Sequence, residues 1–301
     1  MRHILISGLV NTETTVQIRQ FPIPYFPIDY PFFGVDTAVS GVAYNIAGAL
    51  HTLGDQVTVL SMTADDLPAN LIRQELQSLG LDTTGIIPCL RQTPNSVVLY
   101  DSAGKRQIYC DLKDIQEAAY PFDRRVLENA DLVAACNINF NRPLLPLAKA
   151  AGIPIATDVH VLTDPRDDYN RDFLECADLL FLSDEGIPGD YRTFLTELAR
   201  LYGCTVIVLG RGSQGAAIYL RQTGEIHELP AVHTSPVVNT AGAGDALFSA
   251  FVHYYAGGVP PLEALARAQV FASVKIGVSG AAKGFVDETT VEALYRAAAG
   301  R

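Results

Sequence analysis

Short β-branched runs alternate with amphipathic stretches along most of this chain, and so regular an alternation admits few folds. Ile4 to Ile6, Val57 to Leu60, Leu132 to Ala134, Ile153 to Thr157, Leu179 to Leu182 and Thr205 to Leu209 each read as a buried strand. Helical patterns lie between several of them, at Ala43 to Thr52, Ala69 to Leu79, Leu144 to Ala151 and Tyr191 to Leu201. Most of these stop at a glycine just past the last apolar position (Gly54, Gly80, Gly152, Gly203), which is the chemistry of a helix C-cap. Strand, helix and strand in this repeated order predict a three-layer α/β/α sandwich with a mostly parallel central sheet.

Two stretches interrupt the rhythm. Ser96 to Asp101 and Lys105 to Asp111 are strand-like and flank Ser102-Ala103-Gly104, which predicts a β-hairpin. Thr14 to Gln20 is also strand-like and runs into Phe21 to Phe33, where Pro22, Pro24, Pro27 and Pro31 forbid a helix or a central strand. Residues 12–38 and 88–113 are therefore expected to form a small β lid inserted into one domain that spans 1–301. No internal repeat or low-complexity linker divides the chain.

With 22 Lys and Arg against 33 Asp and Glu, the net charge of −11 argues against a nucleic-acid partner, whose phosphates require clustered cations. The largest basic groups are pairs such as Lys105-Arg106 and Arg124-Arg125. Five dispersed cysteines (Cys89, Cys110, Cys136, Cys176, Cys204) contain no CxxC pair. They read as small buried hydrophobes in a reducing compartment, with neither a disulfide framework nor a zinc site. The apolar start reaches Asn11-Thr12-Glu13 too soon for a signal peptide, and Gly257-Gly258 and Pro260-Pro261 spoil the long uncharged stretch as a membrane span. The expectation is a soluble, cytoplasmic protein without a membrane partner.

Gly210-Arg211-Gly212-Ser213-Gln214-Gly215 matches the GxGxxG pattern of dinucleotide sites, but that mechanism requires a helix to begin there. Here Ala216 to Leu220, Gln222-Thr223-Gly224 and Glu225 to Leu229 follow, which reads as strand, turn and strand, so a tight glycine turn within a sheet is expected.

The segment Asn239-Thr240-Ala241-Gly242-Ala243-Gly244-Asp245 is more specific. Three small residues in a row let the backbone approach a ligand and aim successive N–H groups at one point. Phe248, Phe251, Val252 and Tyr255 recur at helical spacing, so the loop opens onto a helix N-terminus, where an anion is favoured. Asp245 at that place suits either capping or catalysis.

This segment resembles the second signature of the ribokinase-like (pfkB) carbohydrate kinases, written D-T-x-G-A-G-D. Ser40-Gly41-Val42-Ala43-Tyr44-Asn45, ending in Leu53-Gly54, resembles their first signature. Gly8 to Glu13 resembles the opening strand with its substrate-binding acid, and the resemblance covers essentially the whole chain. It implies transfer of the ATP γ-phosphoryl group to a hydroxyl, with Asp245 as base and the amides of Gly242, Ala243 and Gly244 holding the developing charge. The substrate side would comprise Asn11, Glu13, Ser40, Gly41, Asn45 and Asn139, and the nucleotide side Thr240, Gly210, Gly212, Gly215 and Ser183. No Walker A sequence occurs, so the anion hole must do the work of its lysine.

Three departures from the family pattern stand out. Ser183-Asp184-Glu185-Gly186 replaces the usual N-x-x-E, leaving Asp184 or Glu185 as candidates to hold Mg²⁺, which needs only one or two carboxylates. Asn239 replaces an acid near which some members bind a monovalent cation, which leaves that dependence open. Gly210 stands where many members have threonine. Asp158 and His160 end another strand, and His160 is expected to be buried and hydrogen-bonded. The rings of Tyr25, Phe26, Tyr30, Phe32 and Phe33 suit stacking on a base, packing on the core, or a lid-to-lid homodimer. A phosphosugar would need two or more lid cations, and Arg19, Arg91, Lys105 and Arg106 are scattered. The expected substrate is an unphosphorylated sugar, with a nucleoside next, and a non-catalytic binding protein is the rival class.

Overall fold

The computed structural model describes residues 2–299. The chain enters the core as β1 (His3–Ser7), leaves it through β2 (Asn11–Gln17) and β3 (Val35–Ser40), and returns by α1 (Val42–Thr52) and β4 (Gln56–Thr63). Next come α2 (Leu67–Ser78), the short β5 (Ile86–Pro88) and a second excursion, β6 (Asn95–Tyr100) and β7 (Arg106–Asp111). The core resumes with β8 (Leu132–Ala135), α3 (Leu144–Ala151), β9 (Ile155–Val161), α4 (Arg171–Cys176), β10 (Leu179–Ser183) and α5 (Tyr191–Leu201). It closes with β11 (Val206–Gly210), β12 (Ala216–Leu220), β13 (Glu225–Leu229), α6 (Ala243–Ala256), α7 (Pro261–Lys275) and α8 (Glu288–Ala299).

Nine strands form the central sheet in the order β13-β12-β11-β10-β9-β8-β1-β4-β5, parallel from β11 through to β5. The apolar runs read as strands are buried on both faces, as parallel strands under two helix layers must be: Ile4, Leu5, Ile6, Val133, Leu179, Leu180, Ile207 and Val208 are all inaccessible. Asp66 and Asp190 cap α2 and α5 by accepting from the amides of Ala69 and Thr193, each at 3.0 Å and worth about 1 kcal/mol. Among the described residues no helix is long and apolar enough to cross a membrane.

The GxGxxG segment makes one 3-10 turn at Gly212–Gln214 between β11 and β12, which pair antiparallel, so no α-helix begins there. The second sheet has four strands, β3-β2-β6-β7, one more than expected. β3 was missed because half of it is solvent-facing; it pairs antiparallel with β2 and sets Asn11 opposite Ser40 and Glu13 opposite Ala38. Gly203 also departs from expectation: α5 ends at an extended Tyr202, without a left-handed residue. Cys89 and Cys110 are exposed, Cys110 on the lid strand β7, whereas Cys136 and Cys204 are buried.

The helix that carries Asp245 is fixed at both ends. Phe181 on β10 meets Phe248 and Phe251 edge-on, with centroids 4.9 and 5.3 Å apart, each contact worth about 1 kcal/mol beyond burial. Near its far end, His253 is wholly buried with Nδ1 2.7 Å from Asp55, whose other oxygen accepts from Arg2 at 2.8 Å.

Candidate active site

Gly242 is the N-cap of α6 and lies in the left-handed region (φ 74°). A Cβ there would sit 2.4 Å from the carbonyl oxygen of Ala281, so both the backbone angle and the space demand glycine. The preceding loop is held from within: the Ala241 amide donates to Oδ1 of Asn239 at 2.8 Å, and the Ala243 amide to the carbonyl of Thr240 at 3.1 Å. Of the three amides expected to receive charge, that of Ala243 is thus already committed to its own turn. Those of Gly242 and Gly244 make no hydrogen bond among the described residues.

Asp245 is in the first turn of α6 but does not cap it. Its Oδ2 accepts from Nδ2 of Asn45 on α1 at 2.6 Å. Burial pushes its carboxyl above the ordinary aspartate value, and the Asn45 hydrogen bond opposes that shift. The charges of His160 and Lys275 also favour ionisation, while that of Asp158 disfavours it. His160 is not a core residue as expected. It is exposed and left-handed (φ 60°) at the end of β9, with Nδ1 3.6 Å from Asp158.

The hydrogen-bonded residues continue from α1 into the second sheet. Gly41 caps α1, and its carbonyl accepts from the Asn45 amide at 3.0 Å. Ser40 donates to Oε2 of Glu13 at 3.3 Å. Burial raises the Glu13 carboxyl from its usual value, and the Ser40 hydroxyl and the Arg106 charge pull it back. Asn11 donates to the Ser96 hydroxyl on β6 at 2.7 Å. Oδ1 of Asn11 and Oδ1 of Asn45 are buried and have no hydrogen-bond partner among the described residues. Buried acceptors are rarely left so, and these two suit a ligand that brings hydroxyl donors.

Asn139 does not join this group. Its amide and carboxamide bind Gln116, and its Oδ1 accepts from Arg142, all at 3.3 Å, so it anchors a loop. The lid rings do not pack on the core: Tyr25, Phe32 and Phe33 are at least four-fifths exposed. Arg106 is exposed on β7, yet its charge reaches both Glu13 and Lys275.

At the carboxyl ends of β10 and β11, the Asp184 amide donates to the carbonyl of Gly210 at 2.9 Å, and Ser183 accepts from the Glu185 amide at 3.2 Å. Gly212 opens the turn, and Thr240 is exposed at the loop before α6. Gly215 is required by the sheet itself, because a Cβ there would lie 2.1 Å from the carbonyl of Leu229. Among the described residues no three His, Cys, Asp or Glu side chains gather into a metal cluster. Asp184 and Glu185 bring two carboxylates to this end of the sheet, the ligand type Mg²⁺ takes one or two of beside phosphates and water.

Lys275, which no motif marked, closes the site from behind. It is wholly buried at the end of α7 and donates to the carbonyl of Ala241. Burial lowers its pKa to about 8, against the opposing attraction of Asp245. The sequence signal was a lone cation in an apolar run, Val270 to Val278.

The sequence profile of the pfkB family carbohydrate kinases matches residues 33–288, and the chain belongs to that family. It is 26% identical over 260 residues to an ATP-dependent ribose-1-phosphate kinase of Halopiger xanaduensis, covering 84% of each chain. Among solved structures, a microbiome-derived acarbose kinase superposes with a TM-score of 0.87 at 24% identity, over 98% of this chain and 99% of that one. Arabidopsis thaliana ribokinase, complexed with ribose and ATP, gives 0.84 at 21% identity, over 98% and 99%. The architecture is therefore the ribokinase fold, a mostly parallel sheet flanked by helices.

Proposed function

We propose that this protein transfers the γ-phosphoryl group of ATP to a hydroxyl of a small sugar. The observation that carries the reading is the Asn45–Asp245 pair, a half-buried carboxylate held in place by a carboxamide whose own oxygen is unpartnered among the described residues. Asp245 accepts the hydroxyl proton as the substrate oxygen forms its new bond to phosphorus and the bond to ADP breaks. The amides of Gly242 and Gly244, at a helix N-terminus, stabilise the charge on the transferred group. Oδ1 of Asn11 and of Asn45 accept from sugar hydroxyls, and Glu13, steadied by Ser40, accepts a further one. Ser183, Gly210, Gly212 and Thr240 border the nucleotide. Mg²⁺, held by Asp184 or Glu185 together with the phosphates, supplies charge neutralisation when bound.

Two finer readings rest on the exposed lid rings. They offer faces on which a nucleoside base stacks, and they equally offer an apolar surface to the lid of a second copy in a homodimer. A purely binding role is disfavoured by the hydrogen-bonded base. The test is ADP release across a panel of free sugars, sugar phosphates and nucleosides. Substrate-dependent turnover with a sugar supports the proposal, turnover with nucleosides alone moves it to the second reading, and none with any member favours a binding protein.

A further inference from the structure

Lys275 is an ammonium without exposed surface, and among the described residues no carboxylate lies within ion-pair distance of it. Burying such a charge costs several kcal/mol, whereas methionine or leucine would fill the same space without that cost. Among the described residues its one hydrogen-bond partner is the carbonyl oxygen of Ala241. That oxygen belongs to the peptide group whose N–H is the Gly242 amide, one of the two left free at the head of α6. A trans peptide is planar, with its N–H directed opposite its C=O, so a cation bound on the oxygen side aims and polarises the N–H on the other. The neighbouring Ile276 carbonyl accepts from the amides of Val238 and Asn239 at 2.8 and 3.0 Å, so the end of α7 braces this whole loop. Among the described residues the Lys275 contact is the one that brings charge to it, and position 239 is a neutral asparagine.

We propose that Lys275 is a positioning residue for phosphoryl transfer, an internal cation that orients and polarises the Ala241–Gly242 peptide so that the Gly242 amide receives the transferred group. The inference rests on the phosphoryl-transfer reading above. That reading fails if the wild-type enzyme turns over no substrate; this inference fails if the wild type turns over and the variants match it.

The experiment is steady-state kinetics of Lys275→Met and Lys275→Ala with the best sugar of the panel, beside thermal melting. Lys275→Met is expected to lose about tenfold or more in kcat, less than the 10²–10³ lost with a direct charge-stabilising donor. Its sugar KM should stay within about twofold and its Tm should not fall, because the charge is costly to bury. For Lys275→Ala, ethylammonium should restore part of kcat, while the neutral ethanol of similar size should not. Unchanged kcat in Lys275→Met, or equal rescue by the cation and the alcohol, would overturn the proposal. If neither variant melts cooperatively, the wild type decides. Asp245 and Arg106 are the charged groups that act on this ammonium, and kcat/KM should fall on the alkaline side with a midpoint near 8. A profile flat to about pH 9.5 contradicts the role.

Discussion

The carboxamide of Asn45 donates to the carboxylate of Asp245 across 2.6 Å, joining the first turns of two helices whose residues lie 200 positions apart. The bond has two consequences. It orients the proposed base, and it favours the charged carboxylate against burial, which drives the pKa up.

Removing that donor should therefore raise the Asp245 pKa further. Asn45→Ala is expected to move the acid limb of the kcat/KM profile upward by about one to two pH units, since a hydrogen bond to a charged group is worth roughly 1.5–3 kcal/mol. A pH-rate profile on the best substrate checks this, and an unmoved acid limb would refute the coupling.

Gly242 and Gly244 separate shape from chemistry. Gly242→Ala places a Cβ 2.4 Å from the Ala281 oxygen at a left-handed φ, so it should lower Tm as well as kcat. A Cβ on Gly244 meets nothing within 4 Å, and alanine suits a helix better by about 1 kcal/mol. Gly244→Ala should hold or raise Tm while kcat falls, because the methyl group would crowd the amide proposed to receive the phosphoryl group. Paired melting and kinetic measurements make the comparison.

Glu13→Ala should raise the sugar KM about tenfold to a hundredfold and leave the ATP KM unchanged, the loss of one or two charge-assisted hydrogen bonds. An equal rise in both constants would detach Glu13 from the substrate.

An internal ammonium at Ala241 and a neutral residue at 239 leave little for a potassium ion to do. The rate should change less than about twofold when potassium is exchanged for choline at constant ionic strength, which screens exposed charges alike in both buffers. Activation of fivefold or more by potassium would show that Lys275 does not fill that need.

Regular features were legible from the residues alone. The short apolar run at Leu179 is a strand and the stretch from Leu144 to Ala151 a helix closed by Gly152, both where the residues placed them. The strand–turn–strand after Gly210 was readable because no helical period follows it. What escaped depended on tertiary contacts. His160 is solvent-facing where the chain turns left-handed, and Asn139 is consumed by Arg142 three residues on and by Gln116, which lies 23 positions away. Ser96 meets Asn11 only because β6 lies parallel to β2. Lys275 carries no motif; its meaning lies in the one carbonyl it reaches.

Asp245 carries the central claim, and Asp245→Asn tests it most directly. Because its folded pKa is raised, the native state holds this proton more tightly than the unfolded chain does, so stability falls as pH rises through that interval. Asp245→Asn should therefore melt higher than the wild type at pH 7, with the gain shrinking as the pH falls and the folded-state carboxyl takes up its proton. In the same preparation, kcat on the best substrate should fall at least about 10²-fold, the lower range of general-base contributions. A folded Asp245→Asn enzyme that turns over at the wild-type rate would contradict the account.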